Sequence, residues 1–192
     1  MVSTRTTTKK CMTIGDNMKK IILIGGGTFS PVVIDAILEN EKYSEYEIKG
    51  ILDDNGICRI NYDYPYLGKV DDAEKFADED TCFVISIGSP KARKKIAESH
   101  PNLKYLTVID KSANISSNVK IGEGSIILKG TIINAFASLG DHVIVNSGAI
   151  VDHHCVIGNY SHIGHGVITW ECAKIEEAQH IFPGTVIKGE KI

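Results

Sequence analysis

The sequence predicts two domains in series: an α/β domain with a parallel sheet, followed by a parallel β-helix of hexapeptide repeats. Two observations carry that reading. Up to about residue 110, short apolar runs that suit strands alternate with segments of helical character, the order expected of βαβ units. From Ile115 onward the apolar period becomes six residues and persists over thirteen units to Ile187. With 43% apolar and 23% charged residues over 192 positions, each half has material for a core.

Residues 1–17 are Thr- and Lys-rich, lack any periodic pattern and read as a disordered tail. The run Lys19–Ile24 is a strand that stops at Gly25-Gly26-Gly27. Residues 30–40 (SPVVIDAILEN) have helical character, with Ser30 as N-cap and Pro31 at the first helical position. Tyr46–Leu52 is a second strand, ending in the acidic pair Asp53-Asp54. Residues 71–76 suggest a short helix, residues 82–87 a third strand, residues 90–99 a basic helix and residues 103–109 a fourth strand. This Rossmann-like βαβαβ pattern is assigned to residues 18–110, which leaves residues 111–192 for the β-helix.

Counting in sixes from Ile115 meets an aliphatic residue at twelve of thirteen positions, with Thr169 the one break. Four residues further on, each hexad carries a small or β-branched residue, such as Ser125, Thr131 or Ala149, until Gln179. The slot after the aliphatic residue favours Gly, Asn or Asp. A triangular coil explains all three preferences: the aliphatic side chain points to the axis, the small one fits the corner, and Gly or Asn tolerates the turn. An amphipathic helix would need apolar residues at i, i+3, i+4 and i+7, which this segment does not show. Three hexads make one coil, so residues eighteen apart stack at about 4.8 Å, which pairs His162 with His180. Thr169, Trp170, Glu171 and Glu176 depart from the pattern, so the last coils are expected to be irregular.

A formal net charge of −3 gives no reason to expect a nucleic-acid or membrane-surface partner. No segment approaches the roughly 20 apolar residues of a membrane span, nor is there a signal-peptide core, so the expected location is the cytoplasm. Five cysteines in no C-x-x-C spacing argue against a disulfide framework and a thiolate zinc site. The segment from Gly25 to Ser30 follows a strand and opens a helix, where backbone amides can bind a phosphate or simply make a turn. As a dinucleotide fingerprint it lacks the third glycine, whose place Ser30 takes. Lys91, Arg93, Lys94 and Lys95 read first as a solvated helix face, with a role in holding nucleotide phosphates as the lesser alternative. Trp170, the single tryptophan, suits an adenine stack, a subunit contact or ordinary packing.

Four stretches, IILIGGGTFSPVVID, YEIKGILDDN, FVISIGSPKARKKIAE and above all NSGAIVDHHCVIGNYSHIG, resemble the sialic-acid O-acetyltransferase-like sugar acyltransferases, and among them the bacterial UDP-4-amino-sugar N-acetyltransferases. The resemblance spans about residues 19–167. It implies a left-handed β-helix, a homotrimer with active sites at subunit interfaces, a nucleotide sugar (UDP-linked) held by the first domain, and acetyl-CoA bound by the second. It implies that His153 is the catalytic base and that Asn146 and His162 line the acetyl-donor site. Gly25, Gly27, Asp53 and Asp54 match the sugar-nucleotide loop and acidic pair. The position after the base, usually acidic in this family, is His154, counted with His153 as catalytic; Phe29 and Pro31 replace a histidine and a lysine of the glycine loop.

Acyl transfer from a thioester needs a base for the nucleophile and a donor for the oxyanion, and no metal. Histidine suits the first role because its pKa lies near neutral pH, and the outward turn slot of His153 leaves it accessible. An N- or O-acetyltransferase acting on a nucleotide-activated amino sugar in surface glycan synthesis is the function expected. Two alternatives stand beside it: a sugar-nucleotide-binding protein with weakened catalysis, and a metal-dependent β-helix enzyme drawing on the histidines between His142 and His180.

Overall fold

The computed structural model describes residues 18–56 and 63–189. The tail expected over residues 1–17 lies outside the described residues. The first domain is a parallel four-stranded sheet in which β1 (Lys19–Ile24) is flanked by β2 (Tyr46–Leu52) and β4 (Thr81–Ile85), with β3 (Tyr66–Gly68) on the outer edge of β2. Because β1 and β4 are covered on both faces they read as unbroken apolar runs: Ile21 to Ile24 and Phe83 to Ile85 are buried. Helices α1 (Ser30–Leu38) and α2 (Pro90–Ser99) connect the strands.

Among the described residues, fourteen two-residue strands then follow at six-residue intervals, from β5 (Val108–Ile109) to β18 (Val186–Ile187). Every third strand pairs in parallel register, as Ile144 with His162 and Val151 with Thr169, giving three flat sheets of a left-handed parallel β-helix. Its axis is filled by one aliphatic and one small residue per hexad, including Ile133, Ala137, Val151, Cys155, Ile163 and Val167. Thr169 is buried too: its hydroxyl accepts the Asp152 N–H at 3.1 Å, which satisfies a polar group inside the coil.

Several expectations change. The coil is regular to β18, because the departures at Trp170, Glu171 and Glu176 fall on outward positions where the axis does not select side chains. It also starts one hexad early: the N–H groups of Val108 and Asp110 bond to Ser125 and Ile127 of the coil above. Of residues 103–109, the sheet therefore keeps only a single parallel bridge from Tyr105 to Phe83. Its fourth strand is β3, too short and exposed to leave an apolar run. Residues 71–76 form a 3-10 turn, Val70–Phe76. Ser30 is the first residue of α1 and not its cap; its buried hydroxyl turns back to donate to the Gly25 carbonyl at 2.5 Å.

The two domains share one core. Ile21, Leu23, Val33 and Ile34 pack in the same cluster as Val108, Ile126, Leu128 and Ile144 of the first β-helix face. Each such side chain contributes about 1.5–3 kcal/mol when fully buried. The Tyr43 hydroxyl donates to the Thr107 carbonyl (3.1 Å) and accepts the Ile109 N–H (2.7 Å), tying the chain after α1 to the first coil.

Arg93 closes the seam. Expected on a solvated face, it is 1% exposed. Nε donates to the His142 carbonyl, Nη1 to Ile87 and Gly88, and Nη2 to Tyr160 and Ser161. Desolvation lowers the guanidinium pKa to about 9. Arg93→Ala removes all of these donors and leaves buried carbonyls unpaired; at 1–3 kcal/mol per unsatisfied group we expect a loss of about 3 kcal/mol or more, measured by urea unfolding.

Candidate active site

The loops after β1 and β4 diverge at the carboxyl ends of the strands, where strand order reverses and open α/β sheets leave a crevice. A cleft of about 280 Å³ lies there, lined by Gly25, Asp53, Asp54, Lys95 and His100 among others. A second cleft of about 300 Å³ shares Gly25, Asp53 and Ile87 with it and extends along Gly27 and Phe29 to Gly88. The four residues expected from sequence to hold a nucleotide sugar are thus together in one groove.

Their roles differ. Gly25 has φ +106°, and a Cβ there would run into Ile87, so no other residue fits. Gly27 has open space around it. Asp53 braces the loop: its carboxylate accepts the N–H of Gly26 at 2.7 Å and of Asn55 at 2.8 Å. Asp54 accepts the Val70 N–H at 3.0 Å through one oxygen. Lys95 supplies the groove with a cation, which the sequence reading had not separated from its neighbours on α2.

At the Gly88 end the groove meets the β-helix. His162 Nδ1 lies 2.8 Å from the Gly88 carbonyl and its Nε2 lies 3.1 Å from Asn146 Nδ2. A ring that donates from Nδ1 and accepts at Nε2 satisfies both contacts, so the imidazole is neutral. Burial agrees, lowering its pKa to about 4. The expected stack is present, with His162 and His180 ring centroids 4.7 Å apart and 3° from parallel. Phe29 faces His162 at 6.2 Å.

His153 and His154 stand elsewhere, on the turn between Ile150–Val151 (β12) and Val156–Ile157 (β13). That corner adjoins the second and third faces of the coil, whereas His162 lies on the first. One chain therefore does not bring His153 to the groove. His154 has φ +59°, and its ring packs at 5.1 Å against Phe136. The Nδ1 atoms of His153 and His154 are 3.0 Å apart, and His153 Nε2 is 3.5 Å from the Glu171 carboxylate. Trp170 is 52% exposed, with Lys188 Nζ 5.7 Å from its ring centre. Among the described residues no three His, Cys, Asp or Glu side chains form a metal-ligand cluster, and no helix is long and apolar enough to cross a membrane.

Comparison with known proteins adds to this geometry. Residues 20–100 match the family described as the PglD N-terminal domain. The acetyltransferase domain of PglB from Neisseria gonorrhoeae superposes with a TM-score of 0.75 at 26% identity, covering 91% of this chain and 93% of that one; it is also known in complex with acetyl coenzyme A. PerB from Caulobacter crescentus, solved with CoA and GDP-perosamine, superposes with a TM-score of 0.68 at 26% identity, covering 92% and 84%. The uncharacterized protein L142 of Acanthamoeba polyphaga mimivirus is 35% identical over 107 residues, 56% of this chain; the match spans only 21% of that relative's length.

His142 is a second buried imidazole, 5% exposed and stacked on Tyr160, and desolvation lowers its pKa to about 4 as well. In the unfolded chain both rings titrate near 6.5. Between those values the unfolded state binds protons that the folded state refuses, so the stability these rings contribute is complete above pH 6.5 and lost as pH falls towards 4. The melting temperature should hold steady above pH 7 and fall below 6.5, and a His142→Phe, His162→Asn double variant should show a shallower decline.

Proposed function

We propose that the chain is a sugar N-acetyltransferase, transferring the acetyl group of acetyl-CoA to the amine of a nucleotide-activated amino sugar, a reading supported by its likeness to PglB and PerB. The observation that carries this reading is the seam at Gly88, where the groove built from Gly25, Gly27, Asp53 and Asp54 runs into the β-helix histidine His162. The groove takes the nucleotide sugar, which we propose is UDP-linked, with Lys95 placed to offset phosphate charge. Asn146 and His162, at its end, are proposed to line the acetyl-donor site.

His153 is the proposed general base. The acceptor nitrogen attacks the thioester carbonyl, its proton passes to the imidazole, the C–N bond forms, and collapse of the tetrahedral intermediate breaks the C–S bond. The proton then returns to the departing CoA thiolate. Activation of a hydroxyl acceptor would follow the same path.

Because His153 and the groove occupy different corners of one chain, the complete centre is proposed to form between copies, in a homotrimer. The second β-helix face supports this. Its outward residues Ile132, Ile150, Ile168 and Val186 stack in one column at steps of eighteen; Ile150 is half-buried and the other three are 37%, 39% and 51% exposed, an apolar stripe beside the His153 corner. Surface glycan synthesis in the cytoplasm is the setting this chemistry suits.

Acetyl-CoA, UDP and a UDP-4-amino-sugar should each raise the melting temperature by mass action. Turnover should follow with all substrates present, and His153→Ala should lower kcat by about 10²–10⁴-fold, the usual share of a general base. Stabilisation by the nucleotide alone, without turnover, would identify a binding protein; stabilisation by GDP-linked sugars in place of UDP-linked ones would change the nucleotide assignment only. Separately, Ile168→Lys should convert trimer to monomer in light scattering and remove activity while leaving the far-UV spectrum unchanged.

A further inference from the structure

We propose that Glu171 is the residue that orients and polarises His153, reaching it from the next coil; this rests on His153 being the base. The two carboxylate positions nearest in sequence do not serve. Position 154 holds a histidine. The Asp152 carboxylate is engaged with other partners: its Oδ1 accepts Asn134 Nδ2 at 2.9 Å and the His153 backbone N–H at 2.8 Å, and the Asn134 bond above all holds its carboxyl below the ordinary range. It is a brace for the turn.

Glu171 stands eighteen residues after His153, so the coil register places one above the other. That register is pinned nearby by the pairing of Val151 with Thr169 and by the Cys172 N–H donating to the His153 carbonyl at 3.0 Å. The Glu171 carboxylate lies 3.5 Å from His153 Nε2. At that distance the two are in ion-pair reach without a formed hydrogen bond; catalytic contacts are commonly long in an unliganded site and tighten with substrate. A carboxylate there favours the tautomer with its proton on Nε2, leaving the lone pair on Nδ1. The facing Nδ1 of His154, 3.0 Å away, then carries the proton between them. In the resting protein His154 thus occupies the place that the acceptor amine takes. When Nδ1 accepts the amine proton, the imidazolium is stabilised by Glu171 until the proton leaves for the CoA thiolate. Glu171 is a positioning residue and touches no substrate.

Since the Glu171 side chain is 68% exposed in the single chain, solvent weakens the pair. The expected effect is accordingly a loss of about tenfold in kcat, well below that of removing the base. The test reads two quantities in wild type, Glu171→Gln and Glu171→Asp. Nitrogen-15 NMR of the unliganded protein should show His153 as the Nε2–H tautomer in wild type and a shift towards Nδ1–H in Glu171→Gln. Steady-state kinetics should show the fall in kcat with both KM values within about twofold, and partial recovery in Glu171→Asp. An unchanged tautomer, or wild-type kcat in Glu171→Gln, overturns the proposal. The tautomer is read without substrate, so it judges Glu171 independently; a His153→Ala variant that turned over normally would instead overturn the assignment of the base.

Discussion

The Arg93 guanidinium is the contact on which the arrangement of the two domains depends. It has five N–H donors in a rigid planar fork, and all five are used on backbone carbonyls of three chain segments. Two lie in the turn after β4, the others on consecutive coils of the β-helix. No lysine could repeat this, having three donors radiating from a single atom. Burying a cation without a carboxylate beside it is costly, and the lowered pKa of Arg93 registers that cost. What is gained is registry: the loop that ends the nucleotide groove is held at one height on the coil, and His162 adds a bond to the same Gly88 carbonyl.

Registry also separates the histidines chemically. His142 and His162 sit at the seam and are kept neutral by burial, which suits them to packing and to fixed hydrogen bonds. His153 lies on a solvent-facing corner with one ring nitrogen 3.5 Å from a carboxylate. The same residue type thus serves as spacer and as proposed proton carrier, the difference being set by which face of the triangle it falls on.

Much of this was legible in the sequence, because a period of six is a local property. It located the strands of the coil, the inward residues and the His162–His180 stack. Strands β1 and β2 were likewise readable, since buried parallel strands leave continuous apolar runs. What escaped depends on contacts distant along the chain. Arg93 looks like any basic residue of α2 until the coil carbonyls are placed around it. Ile109 fits the hexad count, but an apolar run leading into it looked like one more strand of the sheet. Asp53 and Asp54 appear as an equivalent pair, yet only the structure shows the first spent on bracing the glycine loop. Glu171 looked like a flaw in the repeat for want of the coil stacking that gives it a partner.

The eighteen-residue step between His153 and Glu171 ties this pair to chain length. Six residues inserted between them would carry the glutamate one side round the triangle, onto a different face. Eighteen would return it to the same face but one storey too high, with a foreign coil in between. Surface loops elsewhere tolerate such insertions at little thermodynamic cost. Here the short stretch from 154 to 170 works as a ruler, and genetic drift in its length would be felt at the imidazole before it was felt in the fold.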